Sequence, residues 1–204
     1  MKKIFTGTCL FLFMTITIVS CTESEASLGD EAKPAEIETE TPATNASRIE
    51  RGAYLVEVAG CHDCHSTKIM GPMGPQPDPE KLLGGHISGP ATEKVDPALI
   101  QKYALFNHAT TMAIGPWGAS YAANLSSDES GIGSWSEEQF INAIRKGKFK
   151  GLENGRPLLP PMPWPNIAKM TDEDLKSIFA YLKTTKPVNN VVPPPTPLEE
   201  LVKK

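Results

Sequence analysis

Cys61-His62-Asp63-Cys64-His65 places two thiols and two imidazoles in five consecutive positions of a 204-residue chain. Those groups bind metals, form disulfides, run dithiol redox chemistry or hold a porphyrin. Each use demands something different of the remaining chain. A structural zinc site takes four ligands. Cys61, Cys64 and one histidine make three, so His86 or His108 would have to complete the set. A thioredoxin-like dithiol expects a βαβ context, whereas this motif follows a helical pattern and precedes loops. A Cys61–Cys64 disulfide leaves His65 unexplained. C-x-x-C-H is also the attachment signature of c-type haem, in which both cysteines carry thioethers and the histidine ligates iron. That use employs Cys61, Cys64 and His65 together and makes one covalent haem c the expected cofactor. His62 is then expected to be an exposed residue with no ligand role.

The sixth iron position decides the chemistry, because a protein ligand there favours electron transfer and an open position permits small-molecule binding. The candidate thioethers are Met70, Met73, Met112, Met162 and Met170. Met170 directly precedes a helix start and reads as packing. Met162 lies in Leu158-Leu159-Pro160-Pro161-Met162-Pro163-Trp164-Pro165, where the prolines stiffen the backbone. Such a loop can hold a thioether on iron, and it can equally fill a core. His86 and His108 stay open as competing ligands.

The elements that must position these groups read as helices joined by long Gly- and Pro-rich loops. Ser47 to Ala59 has a polar cap and an apolar face of Ile49, Ala53, Tyr54 and Val56, and it runs into the motif. A second helix follows Ser136, with Gln139 completing a capping box, Trp135 and Phe140 a hydrophobic staple, and Gly147 the stop. A third follows Thr171, with acids in its first turn and a stripe of Leu175, Ile178, Phe179 and Leu182. A short helix is expected at Asp96-Pro97. No run alternates in the manner of a strand, so the expected class is all-α. Few helices with so much loop make a poor core alone, and a large buried prosthetic group would complete it. The tail from Val188, with Pro193-Pro194-Pro195, is expected to leave the domain surface in extended form.

Lys2, Lys3 and the mostly apolar stretch from Ile4 to Val19 fit a signal peptide and are short for a membrane span. Ile18-Val19-Ser20-Cys21 resembles the lipobox of bacterial lipoproteins, which implies acylation at Cys21 and a lipid anchor. Thr22 in the following position implies the outer membrane, on the periplasmic side of the envelope. Residues 21–46 carry seven acidic residues against Lys33, a composition that stays solvated and extended. From residue 47 onward 17 acidic and 17 basic residues balance, which gives no footprint for nucleic acid. The expected organisation is a signal peptide over 1–20, an acidic tether over 21–46, a haem domain over 47–187 and a Pro-rich tail over 188–204.

Helix, C-x-x-C-H, loops, an Met-Pro loop and a capped aromatic helix, in that order, resemble class I c-type cytochromes over roughly residues 47–187. The stretches 51–68, 115–147, 159–164 and 170–183 are similar to a long-loop group of bacterial monohaem cytochromes. This resemblance implies cytochrome c-like helices around one covalent haem, with His65 and Met162 as axial ligands. It implies that Trp117, Tyr121 and Asn124 lie near the haem edge. It implies a crossing of the first and last helices at Gly52, Tyr54, Phe179 and Tyr181. A proline carbonyl, from Pro72 or Pro75, would accept the hydrogen bond of the proximal histidine. Residues 66–115 have no counterpart in small class I members.

The expected function is therefore that of an electron carrier outside the cytoplasm, not an enzyme, exchanging electrons with protein donors and acceptors. Two alternatives differ in kind. One is a haem peroxidase or small-molecule reductase with an open sixth position. The other is an electron-transfer subunit of a dehydrogenase or oxidase complex.

Overall fold

Thr171 Oγ1 accepts a hydrogen bond from Asp174 N (3.1 Å), and the helix it caps, Asp172–Leu182, packs across the helix that leads into the cysteine motif. The structure is a computed structural model that describes residues 44–89 and 94–202. We label its helices α1 (Asn45–Val58), α2 (Cys61–His65), α3 (Pro97–Ile100), α4 (Glu137–Arg145), α5 (Trp164–Ile167), α6 (Asp172–Leu182) and α7 (Leu198–Leu201). The expected signal peptide, nearly all of the tether, and Cys21 lie outside the described residues. Among the described residues no helix is long and apolar enough to cross a membrane.

α1 starts earlier than expected because Thr44, not Ser47, is its cap. Thr44 Oγ1 accepts from Ser47 N (3.2 Å), and Ser47 Oγ donates back to the Thr44 carbonyl (2.9 Å). The buried face is Gly52, Leu55 and Val56, while Tyr54 is exposed. Gly52 makes the α1–α6 crossing possible: a Cβ there would lie 1.9 Å from the Ser177 carbonyl oxygen and 2.8 Å from Tyr181 Cβ. Of the four crossing residues implied by the resemblance, Gly52 and Tyr181 meet. Phe179 is buried and stacks instead on Phe140 of α4, with centroids 5.5 Å apart. The crossing is rimmed by Arg48–Glu173 (2.8 Å) and Arg51–Asp174 (2.9 Å) ion pairs.

α4 forms as its caps predict, with Ser136 Oγ accepting from Gln139 N (3.1 Å). Gln139 does not close the box; its Nε2 donates to the Lys150 carbonyl (2.9 Å). Leu55, Val56, Phe140, Ile144, Leu175, Ile178 and Leu182 join Leu83 and Ile132 in the main core. Burying such side chains contributes about 1.5–3 kcal/mol each.

The all-α expectation is wrong. Two small antiparallel sheets lie between the helices. β1 (Lys68–Gly71) and β2 (Gly74–Pro77) form a hairpin across Pro72-Met73, with Lys68 opposite Pro77. β3 (Leu105–Phe106), β4 (Met112–Gly115) and β5 (Gly118–Tyr121) form a sheet in that order, with Met112 opposite Tyr121. These strands have two to four residues, and β4 buries three consecutive positions, so none shows the alternation that identifies a half-buried strand. The Gly- and Pro-rich stretches that read as loops supply their turns.

The tail also departs from expectation, because it packs on the domain. Asn190 Nδ2 donates to the carbonyls of Gly84 (2.7 Å) and His86 (2.9 Å). Thr196 and Ala119 exchange backbone hydrogen bonds (2.8 and 3.1 Å), extending the edge of β5. Leu201 of α7 is buried with Ile100, Ile114 and Ala119 in a second core. The short side-chain contacts of a polar, Pro-rich segment give no sequence signal for docking, since its partners are backbone groups far away in the chain.

Candidate haem-binding site

Gly60 ends α1 with a left-handed φ of 66° and turns the chain into α2. A residue with a Cβ is strained in that conformation. α2 is one turn long and carries the whole motif. Cys61 packs against the main core, and neither cysteine is in a disulfide. Burial pushes the Cys61 thiol up to about 11 and also raises Cys64. Reactive dithiols need the opposite shift, towards thiolate. Among the described residues no three His, Cys, Asp or Glu side chains group together to hold a metal ion. His86 hydrogen-bonds Thr111 Oγ1 through Nδ1 (3.0 Å), and His108 is exposed, so neither completes a zinc site.

His65 is buried, and burial lowers its proton affinity, which keeps the ring neutral. Its Nδ1–H donates to the Ala123 carbonyl (2.8 Å). That bond settles the tautomer and leaves the Nε2 lone pair for a metal. The expected acceptors, Pro72 and Pro75, lie instead in the turn and second strand of the β1–β2 hairpin. Ala123 reaches His65 because residues 83–86 and 122–125 run side by side: His86 N donates to Ala122 O (2.9 Å) and Leu125 N to Leu83 O (2.7 Å). Gly85 N also donates to the His65 carbonyl (2.8 Å). His86 thus belongs to the backbone support behind the His65 ring.

Asn124 stands next to Ala123 and spends both ends of its amide on protein. Oδ1 accepts from Ser126 N (2.9 Å) and Ser126 Oγ (2.7 Å), while Nδ2 faces Ser130 Oγ and the Val188 and Asn190 carbonyls (2.8–3.2 Å). It pins the loop that presents the Ala123 carbonyl. Tyr121 donates to or accepts from Thr196 Oγ1 (2.8 Å) and its ring contacts that of His86 at 4.8 Å. Trp117 Nε1 donates to Ser120 Oγ (3.3 Å).

His62 is neither exposed nor idle. Its Nδ1 pairs with the buried Ser66 Oγ (2.9 Å), which also accepts from Leu83 N (2.8 Å). Lys68 is a second residue with an unexpected part. Its ammonium donates to the carbonyls of His62 (2.9 Å), Asp63 (3.0 Å) and Ser66 (2.6 Å), and so caps the C-terminal end of α2. A basic residue just past a helix end is a readable cue. Ala123 offers none, because every residue has a carbonyl.

Among the candidate thioethers, Met70 and Met73 project from the hairpin and are 79% and 101% exposed. Met112 packs on the second core. Met162 and Met170 pack on the main core that Cys61 also touches. Met170 is the residue before the α6 cap, where packing explains it. The Met162 loop is anchored upstream by Leu158 N to Gly147 O (2.7 Å). Downstream, Arg145 bonds the Ala168 carbonyl and Asp172. Two unpaired thiols on one helical turn, a neutral imidazole tied from behind, and a thioether on the same apolar core fit a covalently held haem.

No family model matches the chain. Similarity to characterised proteins is found with the gluconate 2-dehydrogenase cytochrome c subunit of Pantoea cypripedii, 33% identical over 138 residues. It is found also with the fructose dehydrogenase cytochrome subunit of Gluconobacter japonicus, 32% over 152 residues. The cytochrome c subunit of the quinone alcohol dehydrogenase of Gluconobacter oxydans is 37% identical over 142 residues. These matches take in 67%, 73% and 69% of this chain but 23%, 24% and 22% of the relatives, so the chain spans about a quarter of the length of the proteins it matches. With the motif geometry, this similarity to cytochrome c subunits of dehydrogenases supports a c-type cytochrome.

Proposed function

We propose that the chain holds one haem c through Cys61, Cys64 and His65 and serves as an electron-transfer subunit of a dehydrogenase complex. The names of the relatives favour this reading over a free carrier between unattached partners. The observation that carries it is the bond from His65 Nδ1 to the Ala123 carbonyl (2.8 Å), which orients the imidazole as an axial ligand requires. When bound, the haem supplies reversible one-electron chemistry at iron. Cys61 and Cys64 would carry the porphyrin through thioethers, and His65, with its proton kept on Nδ1, would offer Nε2 to the iron. Met162, on its Pro-bounded loop, would supply the sixth ligand, and thioether ligation would raise the potential. Cys61 and Met162 both pack against the main apolar core.

Residues 1–20 act in this reading as a signal peptide, and acylated Cys21 with the acidic segment 21–46 forms a tether on the periplasmic side of the outer membrane. The donor is the substrate-oxidising subunit of the complex, and the acceptor is a second redox protein.

The oxidised protein should show the weak near-infrared charge-transfer band of methionine-ligated haem, and Met162→Ala should abolish it. A wild type without the band that binds carbon monoxide rapidly when reduced would establish the rival, a haem enzyme with an open site. Cys21→Ala should move the protein from the membrane to the soluble fraction; retention on the membrane would rule out the lipid tether.

A further inference from the structure

Five of the nine residues from Pro157 to Pro165 are prolines. Proline has no N–H, so this loop has few donors with which to bind itself to the domain. Within residues 158–163, Leu158 N reaches the Gly147 carbonyl at the start of the loop (2.7 Å), and Met162 N reaches only the Leu159 carbonyl, inside the loop (3.3 Å). Carbonyls remain, and they need a donor from elsewhere. Among the described residues, Arg156 donates to the Pro157 carbonyl (2.9 Å) at the start of the stretch, and one side chain from a distant element, Ser120, donates nearer to Met162. Ser120 Oγ–H lies 2.6 Å from the Pro160 carbonyl, two residues before Met162.

The hydroxyl is directed there by its surroundings. Trp117 Nε1–H donates to Ser120 Oγ (3.3 Å), so an N–H occupies one lone pair of the hydroxyl. The alternative acceptor, the Ala113 carbonyl, is farther away at 3.4 Å. Ser120 itself sits in β5, paired with Ala113 of β4, on a strand whose other edge is covered by Thr196. The donor is therefore on rigid backbone, and the acceptor is on the Pro-rich part of the loop, past its Leu158–Gly147 anchor.

We infer that Ser120 is a positioning residue for the Met162 thioether, joining the small sheet to the ligand loop through the Trp117–Ser120–Pro160 hydrogen-bond chain. This rests on Met162 as the sixth ligand. Between its upstream and downstream anchors the loop opens more often once this bond is lost, and a hydrogen bond worth about 1 kcal/mol changes the open fraction about fivefold.

The test uses the full-length haem-loaded protein with Ser120→Ala, and the pair Ser120→Thr and Ser120→Val, which differ by one hydroxyl. Ser120→Ala and Ser120→Val should weaken the near-infrared methionine band, lower the midpoint potential and speed carbon monoxide binding to the reduced protein about fivefold. Ser120→Thr should stay near wild type in all three. A purely structural role would shift thermal unfolding without separating Thr from Val in the band or the potential. A wild type with the band, and variants that all retain it with unchanged carbon monoxide kinetics, would overturn the role of Ser120 alone. A wild type without the band would overturn Met162 ligation and the Ser120 role together. If Ser120→Ala does not accumulate, the Thr and Val pair decides.

Discussion

His65 Nδ1–H donates to the carbonyl of Ala123, a residue 58 positions away, at 2.8 Å. The proximal side of the site is thus set by backbone that the motif does not contain. Asn124 holds that backbone with both ends of its amide. Asn124→Ala would leave the buried Ser126 and the half-buried carbonyls of Val188 and Asn190 without these bonds, at about 1–3 kcal/mol for a buried group left unpaired. We expect a stability loss of about 2–4 kcal/mol by denaturant unfolding of the haem-loaded protein. A loss below about 0.5 kcal/mol would show that the loop is held by other contacts.

The α1–α6 crossing depends on the missing side chain of Gly52. Alanine favours a helix over glycine by about 1 kcal/mol. At this position its Cβ would fall 1.9 Å from the Ser177 carbonyl oxygen, and α6 cannot move without disturbing Leu175 and Phe179. Gly52→Ala should therefore destabilise by about 3 kcal/mol or more, or fail to accumulate with haem. Thermal unfolding measures this directly; an unchanged or raised midpoint would mean that the helices do not cross here.

Lys68 satisfies three carbonyls at the end of the one-turn helix that carries the motif. A cation at a helix C-terminus contributes about 0.3–1 kcal/mol, and a charged hydrogen bond adds to it. Lys68→Met retains the apolar stem and removes the ammonium. It should cost about 1–2 kcal/mol in chemical unfolding, and Lys68→Arg less. Equal losses for Met and Arg would point to packing rather than charge.

Acid should loosen the same helix crossing from its rim. At Asp174 partial burial raises the carboxyl's proton affinity, but hydrogen bonds from Arg51 and Thr171 and the Arg51 charge outweigh it and hold the folded group below its ordinary range. At Glu173, hydrogen bonds from Lys176 and Arg48 act in the same direction. Because the folded carboxyls titrate below the unfolded ones, their stabilisation is complete above the unfolded value, about pH 4–4.5, and fades as pH falls through the folded value. Asp174→Asn should flatten the loss of stability below about pH 4.5 and leave its slope near neutrality unchanged. An unaltered acid limb would show that Arg51 does not act on this carboxyl.

Cofactor chemistry was legible in the chain, because C-x-x-C-H is local: two thiols and an imidazole on one turn need no distant residue to declare their use. The long helices were legible for the same reason, since Ser136, Thr171 and the stripe at Leu175, Ile178, Phe179 and Leu182 act within a few positions of one another. The sheets were not, because strands of two to four residues at Gly- and Pro-rich turns carry no period, and their pairing is a relation between separate stretches. Nor was the docking of the tail, whose hydrogen bonds end on backbone carbonyls at Gly84 and His86. Local spacing marks Cys61, Cys64 and His65 as the candidates for holding haem. That Ala123 orients His65, that Asn124 steadies Ala123 and that Ser120 reaches the Met162 loop follow from folding alone. Those roles belong to backbone groups and short polar side chains, whose meaning depends on what folding brings within 3 Å rather than on residue type.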